Sequence, residues 1–135
     1  MKKKKIYVTW EDINEGVKDL INLLYPDKSK YDSVYGIPRG GVVLAFLLSY
    51  HLDLPLVDKP SEHTLIVDDI SDTGYTLKEF ESTHDIVTLF STEWTKTKPK
   101  YYIFEKFSKN HWLIFAWEDL NCTNLKRAER GLINI

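Results

Sequence analysis

The stretch 65-LIVDDISDTGYT-76 limits this chain more than any other. Its Leu-Ile-Val run has the composition of a buried strand, and it passes through two adjacent carboxylates into the turn-forming residues 72-DTGYT-76. The pattern predicts a strand over 64–68, a tight turn at Gly74 and a helix over 73–81. A second unit of the same form precedes it, with a short strand over 33–35, the loop 36-GIPRGG-41 and an apolar, mostly buried helix over 42–52. Before both lies a strand over 6–9. A helix follows it on which Trp10, Ile13, Val17, Leu20, Ile21 and Leu24 recur at helical spacing, with Thr9 as N-cap and Pro26 as the stop. A brief strand over 54–57 and strands over 85–90 and 101–104 are also expected. The last two are separated by the polar loop 91-STEWTKTKPK-100, and Leu125, Ala128 and Leu132 fit an amphipathic helix near the end. Strand and helix patterns that alternate in this way give an α/β fold with a mainly parallel sheet flanked by helices.

The 135 residues, 43% of them hydrophobic and 28% charged, fit a single domain over 1–135 with its own core. A formal charge of −2 offers no basic surface for nucleic acid, and Lys2 to Lys5 read as a flexible, solvated tail at positions 1–5. No nucleic-acid or membrane partner is expected. Cys122 is the only cysteine, which excludes an internal disulfide and a zinc pair, and nothing reads as a signal peptide or spanning helix. A reducing, cytoplasmic setting is the expectation. The four histidines have no metal-ligand spacing.

Ligands of such sheets bind at the carboxyl ends of the strands, where both glycine-bearing loops fall. Gly74 permits a tight turn whose amides face outward, and Thr73 and Thr76 add hydroxyls, which together make a cradle for a phosphate monoester. Asp68 and Asp69 are poor phosphate ligands but good acceptors for a vicinal diol, and they can hold Mg²⁺ directly or through water. Phosphate on one side and diol plus metal on the other describe a ribose 5-phosphate. A lone Asp-Thr-Gly would serve equally as a capped turn with solvated aspartates; the full twelve-residue pattern favours the ligand site.

The same twelve residues resemble the phosphoribosyl pyrophosphate (PRPP) signature of type I phosphoribosyltransferases. In addition 7-YVTWEDI-13, 36-GIPRGG-41 and 112-WLIFAWE-118 are similar to segments of bacterial xanthine-guanine phosphoribosyltransferases and their small purine-salvage relatives. The resemblance implies a Rossmann-like fold with a much reduced hood and flexible loop, and transfer of ribose 5-phosphate from PRPP to a nucleobase, with Mg²⁺ on the departing pyrophosphate. It places Asp68 and Asp69 on the ribose hydroxyls and the metal. Asp72, Thr73, Gly74, Tyr75 and Thr76 take the 5-phosphate, and Pro38, Arg39, Gly40 and Gly41 the pyrophosphate. Asp72 also becomes the catalytic proton acceptor beside the base, whose pocket draws on Thr92, Trp112 and Leu113. PRPP and a nucleobase, expected to be a purine, are the implied partners, in a homodimer or higher homo-oligomer.

Two departures stand out. Relatives offer a lysine to the purine 6-oxo group where this chain has Thr92, so recognition of that group would fall to Lys96 or Lys98 or be weak. They also carry a long flexible segment where this chain has only 58-DKPSEH-63, too short for much of a lid. The shortened segment leaves open a non-catalytic domain that binds PRPP or a nucleotide as a sensor. A strand ending in Asp-Asp also leaves open a metal-dependent phosphohydrolase, although that reading does not account for Asp-Thr-Gly-Tyr-Thr.

Overall fold

The computed structural model describes residues 3–120, which divide into two compact units. The larger spans Gly16–Lys106, and the smaller joins the segment ending at Glu15 to the one beginning at Phe107.

The larger unit is built on a four-stranded sheet, in the order β2 (Ser33–Gly36), β3 (Thr64–Ser71), β4 (Ile86–Ser91) and β5 (Phe104–Glu105), and every neighbouring pair is parallel. Parallel pairing puts all four carboxyl ends on one edge. Helix α2 (Gly40–Leu52) connects β2 to β3 and packs on both, burying Gly41, Leu44, Ala45, Leu48 and Leu52. It was expected to be mostly buried. Instead a helix against an open sheet packs one face only, and Val42, Phe46 and Tyr50 form an exposed stripe along the other.

Helix α1 (Trp10–Leu24) begins as expected. The Thr9 amide donates to Asp12 Oδ2 at 3.0 Å and the Asp12 amide to Thr9 Oγ1 at 3.2 Å, a reciprocal capping box. Pro26 enters a short 3₁₀ turn, Tyr25–Lys30, directly after it. Three expectations need correction. The strand over 54–57 is a single bridge between Val34 and Leu56, because Pro55 has no N–H with which to extend a ladder. Residues 101–104 contribute a bridge from Tyr101 to Val87 and then β5. The helix over 73–81 is a run of turns with one 3₁₀ segment, Lys78–Phe80. Leu77 is the one deeply buried apolar side chain there, with Phe80 partly buried beside it, too few anchors to hold an amphipathic helix against the sheet.

At the amino edge of the sheet, Tyr31 donates to Asp85 at 2.6 Å and Tyr101 to Asp27 at 2.5 Å, with the two hydroxyls 3.2 Å apart. Burial alone would raise the Asp85 pKa, but the Tyr31 and Lys100 hydrogen bonds outweigh it and hold the carboxyl below its usual range. The 58–63 segment is fastened at this same edge. The Asp32 amide donates to the His63 carbonyl at 3.1 Å, the Ser61 amide to Thr64 Oγ1 at 2.8 Å, and His84 Nε2 lies 2.7 Å from the Ser61 carbonyl.

In the smaller unit β1 (Lys4–Val8) pairs in parallel with β6 (His111–Phe115). Lys4 and Lys5, expected in a flexible tail, are therefore strand residues opposite His111 and Trp112. Trp117 stacks on Phe115 at 4.9 Å between ring centroids, and Glu118 Oε1 accepts from the Phe115 amide at 3.1 Å, so both close a turn after β6. Leu125, Ala128, Leu132 and Cys122 lie outside the described residues. No helix among the described residues is long and apolar enough to cross a membrane.

Candidate active site

β3 runs past the aspartates to Ser71, so Asp68 and Asp69 sit inside the strand rather than at its end. Asp68 is buried, at 8% exposure, and its burial, then the charge and hydrogen bond of Asp69, push its carboxyl up to about 8. Burial also raises Asp69, against lowering hydrogen bonds that include one from the Ile70 amide at 2.8 Å. Two neighbouring carboxylates are thus held in conditions that favour a cation or hydroxyl donors beside them.

The loop 36–41 lies against this pair. The Ile37 amide donates to the Val67 carbonyl at 2.9 Å, and a Cβ on Gly41 would come within 2.9 Å of Asp68 Cα. One on Gly40 would reach 2.8 Å from Asp69 Cγ. Two glycines in succession bring the loop backbone onto the acidic strand, with Pro38 and Arg39 exposed at its tip and the Pro38–Arg39 peptide cis. Gly41→Ala meets backbone that cannot turn aside, so it should lower stability by about 1–3 kcal/mol, the usual cost of overpacking. A melting curve beside wild type checks this; an unchanged midpoint would mean that the loop lifts freely from β3.

On the other side of the aspartates the 72–76 turn is fixed by the loop after β4. Thr92 Oγ1 donates to the Asp72 carbonyl at 2.7 Å, the Lys96 amide to the Thr73 carbonyl at 2.8 Å, and Thr97 Oγ1 to the Gly74 carbonyl at 2.7 Å. In a trans peptide the C=O and the following N–H point in opposite directions. Three consecutive carbonyls turned toward the 92–97 loop therefore turn the amides of Thr73, Gly74 and Tyr75 away from it. Gly74 has φ +88°, and a Cβ there would lie 2.5 Å from the Thr97 amide nitrogen, so the turn needs glycine on both counts. A cleft of about 110 Å³ opens beside it, lined by Asp68, Ile70, Asp72, Thr73, Gly74 and Thr76.

Asp72 is held from two sides. Trp94 Nε1 donates to Oδ1 at 2.9 Å, and Lys106 Nζ lies 2.7 Å from Oδ2. Neither residue was singled out in the sequence. Thr92 is fully buried, and its hydroxyl faces the Asp72 carbonyl. Lys98 Nζ lies 4.4 Å from the centroid of the Tyr102 ring, and the Lys96 side chain is exposed. Trp112 and Leu113 are on β6 of the smaller unit, Trp112 being 52% exposed with Lys3 Nζ 5.3 Å from its ring centroid.

This arrangement has counterparts. The chain superposes on the purine phosphoribosyltransferase of Pyrococcus horikoshii with a TM-score of 0.73 at 29% identity, over 85% of this chain and 95% of that one. A xanthine-guanine phosphoribosyltransferase of Nitratidesulfovibrio vulgaris is 27% identical across 85% of this chain and 86% of the relative. The chain is a relative of the type I phosphoribosyltransferases. A phosphoribosyltransferase fold also relates it to the xanthine-guanine-hypoxanthine enzyme of Helicobacter pylori, with a TM-score of 0.71 at 20% identity over 95% of this chain and 99% of that one. No protein-family profile matches the sequence. Within a phosphoribosyltransferase frame, the larger unit brings together 36–41, Asp68, Asp69, Asp72–Thr76 and Thr92 at one sheet edge.

Proposed function

We propose that this protein transfers the ribose 5-phosphate of PRPP to a nucleobase, a purine, and releases pyrophosphate, as a cytoplasmic enzyme of nucleotide salvage. The observation that carries this reading is the 72–76 turn, whose carbonyls are tied back to the 92–97 loop so that its amides face away, beside a buried acidic pair. Amides from Asp72 to Thr76, with the Thr73 and Thr76 hydroxyls, hold the 5-phosphate. Asp68 and Asp69 accept from the ribose hydroxyls. Arg39, with the backbone of Pro38, Gly40 and Gly41, takes the pyrophosphate, for which a planar guanidinium fork is suited.

In the reaction the C1–O bond to pyrophosphate breaks and a bond from a base nitrogen to C1 forms. Positive charge develops on the ribose, and the acidic residues below it stabilise that charge in surroundings where water screens weakly. Asp72 accepts the base proton near N7.

Mg²⁺ fits the donor set in a particular way. Among the described residues no group of three or more histidine, cysteine or acidic side chains is placed to hold a metal ion, which does not suit a metal caged by protein alone. Two buried carboxylates with raised pKa values suit an ion that completes its shell with substrate phosphates and water. When bound, the ion offsets the charge of the departing pyrophosphate.

The test is to incubate the protein with PRPP, Mg²⁺ and guanine, xanthine, hypoxanthine or adenine, and to measure pyrophosphate and nucleotide together. Equal amounts of both with at least one base are expected. PRPP binding without product from any base would replace transfer by sensing, and inorganic phosphate release would point to a hydrolase.

A further inference from the structure

Thr97, in the loop after β4, is fully buried. Its amide donates to Thr95 Oγ1 at 3.2 Å, its carbonyl accepts from Ser71 Oγ at 2.6 Å, and its own hydroxyl donates to the Gly74 carbonyl at 2.7 Å. Ser71 is the last residue of β3, so this donor is held on the frame of the sheet and aimed at the 72–76 turn. The peptide that it meets is the one least restrained by its own chain. Gly74, at φ +88°, lacks the Cβ that would limit rotation about its backbone bonds, so the Gly74–Tyr75 peptide is free to turn over unless something holds it. Its C=O and N–H point in opposite directions, and turning over exchanges them. In one orientation a ligand beside the turn meets an amide donor. In the other it meets a carbonyl oxygen, which repels phosphate.

We propose that Thr97 is a positioning residue for the phosphate of the ligand: by holding the Gly74 carbonyl it keeps the Tyr75 amide turned toward the cleft. The inference rests on the reading of 72–76 as the 5-phosphate cradle. The other two ties to this turn differ in kind. Lys96 holds the Thr73 carbonyl through its backbone amide, which no side-chain change removes, and Thr92 holds the Asp72 carbonyl, ahead of the glycine. Of the three, the Thr97 tie alone comes from a side chain and acts on the peptide that follows Gly74. A carbonyl that accepts a hydrogen bond also polarises its own peptide, which makes the N–H on the far side a better donor to an anion. Thr97 thus acts on the phosphate through Gly74 and Tyr75 without touching it.

The experiment measures the affinity for ribose 5-phosphate and for PRPP in wild type, Thr97→Val and Thr97→Ser, with kcat, the KM for the base used best and a melting curve on each sample. Thr97→Val keeps the shape and loses the donor. It should weaken both phosphate ligands by about 3- to 10-fold, the scale of one neutral hydrogen bond, while kcat and the KM for the base stay within about twofold. Thr97→Ser keeps the hydroxyl and should bind like wild type. A folded Thr97→Val with unchanged affinities overturns the proposal. So does equal loss in the Ser variant, or a loss shared by the base, either of which would make Thr97 a packing residue of the loop. Should the Val variant fail to fold, wild type still decides: its Tyr75 amide resonance should shift on titration with ribose 5-phosphate, and a Tyr75 amide that stays in place while its neighbours move overturns the proposal. No binding of either ligand to wild type would overturn the cradle, and this inference with it. Binding that depends on the Thr97 hydroxyl but yields no nucleotide from any base would overturn the transfer activity alone.

Discussion

Asp72→Asn is expected to lower kcat/KM for nucleotide formation by about 10²-fold or more, the usual scale for loss of an acid/base group, with PRPP affinity held within a few-fold. Asparagine keeps the size of aspartate and an oxygen able to accept from Trp94 or Lys106, so the 72–76 turn should persist. What disappears is a carboxylate that can take the base proton and face the developing positive charge. Single-turnover measurement of nucleotide formation, with PRPP affinity determined on the same samples, separates chemistry from binding. Equal loss of both would reduce Asp72 to a builder of the loop.

Asp68→Asn should make the ligand-free protein more stable and the enzyme inactive. The sign follows from the raised carboxyl. A group whose pKa rises on folding, here from 3.8 to about 8, contributes its full stability below the lower value and loses it as pH climbs through the upper one. Asparagine has no charge to bury, so the gain should be absent near pH 4 and reach about 1–3 kcal/mol above pH 8. Thermal melts of both proteins across that interval measure it. A variant less stable than wild type at high pH would mean that Asp68 has a compensating partner in solution. The same substitution removes an acceptor for the ribose hydroxyls, so transfer should fall below detection.

Strands β2 to β4, both glycine loops and the edge where they meet could be read from the sequence because each is a local pattern: Leu65–Val67 is apolar and β-prone, and Gly41 and Gly74 stand where backbone must approach backbone. Thr9 and Asp12 show a cap in four residues. The failures are non-local. Lys106 lies 34 positions from Asp72 and Trp94 lies 22, and nothing in 105-EKF-107 or 93-EWT-95 announces that parallel strands will bring them to one carboxylate. Thr92 stands in the loop after β4, and the direction of its hydroxyl depends on the turn it supports. The helix expected over 73–81 fails for a related reason. Turn chemistry at Gly74 was legible, whereas the packing needed to propagate a helix beyond it had only Leu77 and the partly buried Phe80 to rest on.

The fastening of 58–63 at the amino edge sets how this site must keep its intermediate from water. β3 has eight residues, and at about 3.3 Å each the anchored segment begins roughly 25 Å from the Asp72 turn, far beyond the reach of six residues tied down at Ser61 and His63. It cannot serve as a door. An enzyme that cannot close that segment over its site gains from an acceptor base already seated when PRPP ionises. The nucleobase is then both reactant and stopper, and the poorer its fit, the larger the share of PRPP that leaks to water.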